Sequence, residues 1–183
     1  VHPYVDLNLD LIVGLPFDYW NDIRETLQQV FLLFQPELQL GFLKLLKGTP
    51  IRSKRAEHEY IFQQSAPYQI TASKYLSTSE IEQISLVEHA LEIYWNKKRA
   101  INTMRYAATR YHIFDFLLGL GNLFNRTTGM HGYSTKAVYE NLFTYAQTAH
   151  QEDGILAQLI AMDYYLQPKM RPPIRFLAEP TPE

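Results

Sequence analysis

Few residues in this 183-residue chain stand where chemistry could be done, and each has a plain structural alternative. Asp10 interrupts the apolar run Leu9-Asp10-Leu11-Ile12-Val13 just before Gly14-Leu15-Pro16. By residue type alone it pairs with Lys44 or Lys47. His112 and Asp115 lie three apart, near enough to share a helix face, with Arg105 and Arg110 nearby. A metal would need further ligands, and His58, His89, His131 and His150 show no matching spacing, so a charge network around Asp115 is expected instead. Asp163 pairs with Lys169 or caps locally. Lys44, Lys47, Arg52, Lys54 and Arg55 form the densest basic run. Clustered cations can gather an anion. Gly48-Thr49-Pro50 breaks structure here, however, and charges face water, so a solvated linker is expected, with a domain boundary near residue 55. No nucleophile–base pair, paired carboxylates, P-loop or dinucleotide glycine fingerprint is legible.

The aromatics are a second chemical resource. Tyr106, Tyr111, Phe114, Phe116, Phe124, Tyr133, Tyr139, Phe143, Tyr145, Tyr164 and Tyr165 are dense for so short a stretch. Most are expected in the core. Some could line an apolar pocket for a flat ligand, because tyrosine joins an apolar body to a polar tip.

Two kinds of element must position these residues. Leu7, Leu9 and Leu11 alternate with Asn8 and Asp10, the period of a strand. Asp18 is expected to cap a helix whose apolar side is Trp20, Ile23, Leu27, Val30, Phe31 and Phe34, closed by Pro36. Leu38, Leu40 and Phe42 then mark a second strand, making a parallel strand–helix–strand unit. Two strands under one helix are marginal alone, so further parallel strands are expected before Val1. Residues 69–72 read as a short strand. Four helices are expected beyond: one opened by Ser79-Glu80 and reaching about Lys98, and one from about Ala100 to Leu118, stopped by Gly119 and Gly121. A third is capped by Ser134, and a fourth by Asp153 and ended by Pro168. The tail holding Pro172, Pro173, Pro180 and Pro182 reads as extended. The fold class is therefore α+β and mostly helical, with a strand–helix–strand unit in residues 1–55 and a four-helix bundle-like domain in 56–183.

Composition narrows the function. With 17 Lys+Arg against 19 Asp+Glu the formal net charge is −2, which argues against a dominant nucleic-acid surface. The chain has no cysteine, which excludes a disulfide scaffold and a cysteine zinc site. No apolar run is long enough to span a bilayer and no signal peptide is legible, so a cytoplasmic protein is expected.

The stretch Asn8-Leu9-Asp10-Leu11-Ile12-Val13-Gly14-Leu15-Pro16, a helix, then Gln39-Leu40-Gly41-Phe42-Leu43-Lys44-Leu45-Leu46-Lys47-Gly48-Thr49-Pro50 resembles the late strands of a radical S-adenosylmethionine (SAM) barrel. It is most similar to the cobalamin-binding members, which carry a cobalamin domain, a TIM-like radical SAM barrel and a helical C-terminal domain of unknown function. The resemblance covers residues 5–52 strongly and the helical remainder more weakly. It implies a SAM site in which Asp10 approaches the ribose-containing part and Ile12 packs on adenine. Gly14 admits close backbone approach, and Leu43 to Leu45 edge the adenine. Two departures stand out. The three-cysteine motif for the [4Fe–4S] cluster is absent, and Phe17-Asp18 follows Gly-Leu-Pro where relatives more often place Glu or Gln.

The resemblance further implies that a parent enzyme uses SAM, a [4Fe–4S] cluster and cobalamin, for methyl transfer or ring cyclisation on a hydrophobic or tetrapyrrole-like substrate. Residues 56–183 would shape substrate access, and this piece alone is expected to be inactive, with no cofactor bound. The competing expectation is a non-enzymatic helical interaction module. In either case an exposed sheet edge could make the chain self-associate.

Overall fold

The computed structural model describes residues 7–167. Strand β1 (Asn8–Val13), helix α1 (Trp20–Phe31) and strand β2 (Glu37–Phe42) form the parallel unit, paired in register from Asn8 opposite Glu37 to Val13 opposite Phe42. Side chains alternate across a strand, so the sheet has two unlike faces. Leu9, Leu11, Val13, Leu38 and Leu40 join Ile23, Leu27 and Phe31 of α1 in the core, while Asn8, Asp10, Ile12, Gln39 and Gly41 are exposed. Helix α1 starts one residue later than Asp18 could cap. The carboxylate of Asp22 accepts instead from the Tyr19 backbone N–H, at 3.0 Å.

The two edges of this sheet also differ. The side-chain amide of Asn96 mimics a neighbouring strand, accepting from Leu38 N–H at 3.1 Å and donating to Leu38 C=O at 3.0 Å. Further along, Leu43 C=O accepts from Ile70 N–H and Leu45 N–H donates to Tyr68 C=O, both at 2.9 Å. The outer edge of β2 is thus closed at both ends. Among the described residues nothing pairs with the outer edge of β1. Residues 69–72 include β4 (Ile70–Ala72), antiparallel to a second short strand, β3 (Ile61–Phe62).

The remainder is α2 (Thr78–Leu91), continued by a wider π turn at Glu92–Asn96, then α3 (Ile101–Arg110), α4 (Ile113–Thr127), α5 (Thr135–Ala149) and α6 (Gly154–Tyr165). The mostly helical α+β class is as read from the sequence, but some helix ends move. Helix α2 begins with a capping box from Ser77 to Glu80, not at Ser79. The stretch 100–118 is two helices, broken at Tyr111, whose backbone is extended (φ −128°, ψ 166°).

Gly119 and Gly121 do not end α4 but lie inside it. A Cβ on Gly121 would come within 2.4 Å of the Leu86 carbonyl oxygen. The glycine is therefore what lets α4 lie close on α2. Ser134 and Asp153 cap α5 and α6 as their positions suggested. Pro168 and the proline-bearing tail lie outside the described residues.

One apolar core runs from Val13 through Leu38, Tyr60 and Ile70 to Tyr94, Phe124 and Tyr164, joining α1 and β2 to the helices. No described helix is long and apolar enough to cross a membrane.

Candidate functional site

The exposed face of the sheet meets the loop after β1 in a cavity of about 500 Å³. Asp10 and Ile12 line it, together with Leu15, Pro16, Phe17 and Asp18. Their spacing of two puts the carboxylate and the isoleucine on one side of the strand, and Ile12 keeps 51% of its surface exposed. The loop is shaped by two positive-φ residues, Gly14 (95°) and Phe17 (64°). Glycine adopts that region freely, whereas a phenylalanine there is strained by roughly 1–2 kcal/mol. The Phe17 ring is nevertheless 69% exposed, so it gains little burial in return. Strain at an exposed aromatic beside a cavity is an arrangement that fits ligand contact better than core packing. Burial, with the neighbouring Asp22 charge, pushes the Asp18 carboxyl above its ordinary range.

Side chains from beyond residue 55 hold this loop. The Tyr60 hydroxyl is buried and donates to the Gly14 carbonyl at 3.0 Å. Burial, with the nearby Tyr75 and Asp18, pushes the Tyr60 phenol up to about 12, so it remains a donor at neutral pH. Ile70 closes over Gly14, its Cδ1 only 2.8 Å from where a Cβ would stand. His58, buried, shares a 2.8 Å hydrogen bond with the Tyr75 hydroxyl, and Tyr75 packs under Phe17 with ring centres 5.2 Å apart. His58, Tyr60 and Tyr75 escape sequence reasoning because they lie some 45 to 60 positions from the loop they support and carry no local pattern. Of the five residues expected at the site, Asp10 and Ile12 share the cavity and Gly14 ends the strand beside it. Leu43 hydrogen-bonds Val13 and Ile70 and packs on the core. Leu45 lines a different, basic hollow.

The other candidate groups resolve differently. Asp115 does anchor a charge network, but to Arg24 of α1, which grips it through Nε at 3.0 Å and a terminal nitrogen at 2.5 Å. That hydrogen-bonded guanidinium holds the Asp115 carboxyl below its usual range. His112 stands 3.3 Å from Glu25, while Arg105 lies over the Phe34 ring. Asp163 is buried and caps α3 from α6, accepting from Asn102 N–H and Nδ2 and from Thr103 N–H and Oγ1 at 2.7–3.2 Å.

Among the aromatics, Phe114, Phe116, Phe124, Tyr139 and Tyr164 are fully buried. Tyr106 and Tyr111 instead donate to Asp153 at the mouth of a 640 Å³ cavity shared with Arg110 and His150. No group of three metal-ligating side chains occurs among the described residues.

A parallel strand–helix–strand edge fused to a helical body, with its cavity at the carboxyl end of β1, places the site where open α/β sheets bind ligands. Residues 56–182, well over half of the chain, match the model of a family described as a protein of unknown function (DUF4080), and the chain belongs to that family. No curated protein and no solved structure matches it.

Proposed function

We propose that residues 7–55 are the last strand–helix–strand unit of a radical SAM barrel, and that the exposed face of β1 is turned toward SAM. The observation that carries this reading is the asymmetry of the sheet. The outer edge of β2 is closed by Asn96 and residues 68–70, whereas the outer edge of β1 and the face bearing Asp10 and Ile12 are uncovered. A sheet so built can grow on the β1 side only. A terminal barrel unit has that character.

The residues fit SAM in kind. A carboxylate suits ribose hydroxyls, and an exposed isoleucine on the same face offers adenine an apolar surface. A volume of about 500 Å³ lies within the range of small-molecule sites. The iron–sulfur cluster does not fit this chain, which has no cysteine to ligate it, and no residue here is assigned to cobalamin. In the parent enzyme the cofactors supply the radical chemistry, directed to methyl transfer or ring closure on a hydrophobic or tetrapyrrole-like substrate. This chain's share is to bind and orient. Asp10 accepts hydrogen bonds, Ile12 packs, and Tyr60 fixes the Gly14 carbonyl so that the loop keeps its shape.

The test is made on the protein expressed from its complete reading frame and reconstituted anaerobically with iron and sulfide. SAM binding and SAM-dependent release of 5′-deoxyadenosine are expected. Asp10→Asn should weaken SAM binding about tenfold, the loss of one charged hydrogen bond, with thermal unfolding unchanged. Absence of SAM binding, or an Asp10→Asn protein that binds it equally well, overturns the assignment.

A further inference from the structure

The basic run read as a linker takes part in a second hollow. Gly48 turns the chain at φ 81°, the Thr49 hydroxyl donates to Leu46 C=O at 2.9 Å, and Pro50–Arg52 forms a 3-10 turn. The chain then folds back, with Tyr60 N–H donating to Arg55 C=O at 3.0 Å. This brings Lys47, Arg52 and Arg55 together against the tip of the β3–β4 hairpin, around a cavity of about 270 Å³ completed by Gln63, Gln64 and Tyr68 over Leu45 and Phe62.

Every polar side chain in that lining can donate a hydrogen bond, and none is a carboxylate. No ion pair to Lys47, Arg52 or Arg55 occurs among the described residues. Arg55 is anchored by its Nε, which donates to Tyr60 C=O at 3.0 Å, and its terminal nitrogens make no hydrogen bond within the described residues. Cations on a folded protein ordinarily find acidic neighbours or spread apart. Three converging on one hollow, with two amides and a phenol, leave a surplus of donors that an anion rich in acceptor oxygens would satisfy.

We infer that this hollow binds the phosphoryl or diphosphoryl group of a small molecule. Guanidinium forks match the oxygens of phosphate, and a lysine adds charge without fixed geometry. The exposed Tyr68 ring and the apolar floor of Leu45 and Phe62 suit the organic part of such a ligand. A nucleic-acid strand fits poorly: three cations in 270 Å³ do not track a backbone, and the chain's net charge is −2. The inference is independent of the SAM assignment. It uses none of Asp10, Ile12 or Gly14, and either can fail without the other.

The probe is inorganic pyrophosphate, titrated into the full chain by calorimetry and followed by phosphorus NMR at low and physiological salt. Saturable binding is expected, weakened by salt. Lys47→Gln and Arg52→Gln should each weaken it about tenfold, since each removes a charge-assisted hydrogen bond. Both residues are exposed, so circular dichroism and thermal unfolding should not change. Lys136→Gln, on α5, is the control and should bind as the parent does. The inference is overturned if pyrophosphate does not bind, if the double variant Lys47→Gln/Arg52→Gln binds it unchanged, or if a single-stranded RNA oligomer binds more tightly through the same residues.

Discussion

The sheet-bearing residues 7–55 and the helical residues 56–167 satisfy their polar groups in opposite ways. In the helical part even the deep polar groups close on one another. Asp163 accepts four hydrogen bonds at the start of α3, and Tyr94 donates its hydroxyl to Val138 C=O at 2.9 Å. In the sheet part a strand edge, an apolar face and a group of cations are left without partners among the described residues. Folding alone accounts for the first arrangement. The second leaves stabilisation available to ligands or to further protein, and so both candidate sites lie there.

The contrast can be broken most severely at Asp163. Asp163→Ala leaves two backbone N–H groups, a hydroxyl and an amide without their acceptor, and should cost about 3 kcal/mol. Urea unfolding checks it, and a loss below about 1 kcal/mol would mean that α3 does not depend on this cap.

A middle-sized effect is expected where the two parts are bolted together, at Arg24 and Asp115. The Asp115 carboxyl is held below its unfolded value, so it stabilises the native state above the ordinary carboxylate range, and that contribution fades as pH falls through the lowered native value. Asp115 is half-exposed, so the pair is worth about 1 kcal/mol or less at neutral pH. Asp115→Asn should therefore lose stability at pH 7 and match the parent in acid. Unfolding midpoints at the two pH values decide this. An equal deficit at both would show that the link is packing rather than charge.

The smallest effect sharpens the comparison. Ile12→Ala should change stability by less than about 0.5 kcal/mol, because the side chain is already half in water. The same truncation at buried Leu40, on the opposite face of the sheet, should cost about 2–4 kcal/mol. If the two losses are alike, the face of Asp10 and Ile12 is covered after all.

Much of this was legible along the chain. The period-2 run Leu9, Leu11, Val13 and the period-3.6 run Ile23, Leu27, Phe31 suffice for the parallel unit, because alternation and helical pitch are local properties. The same alternation puts Asp10 and Ile12 together. Helix α5 announces itself through Ser134, and α6 through Asp153, since a cap sits beside the helix it serves. The break at Tyr111 was not legible. No proline or glycine marks it, and the Tyr111 hydroxyl donates to Asp153, 42 residues away. Gly119 and Gly121 misled for a related reason. Glycine serves both to end a helix and to let another helix approach, and the letter is the same for either use.

By itself, then, the sequence determined the elements, the face each strand buries and the class of the fold, all of which follow from residue spacing over a few turns. Tertiary structure alone decided what meets what. It set Tyr60 beneath Gly14, Asn96 against the edge of β2, and Arg24 on Asp115, and it gathered Lys47, Arg52 and Arg55 around one hollow. Those meetings depend on the positions of elements remote in the chain, and the burial of one shared core fixes them.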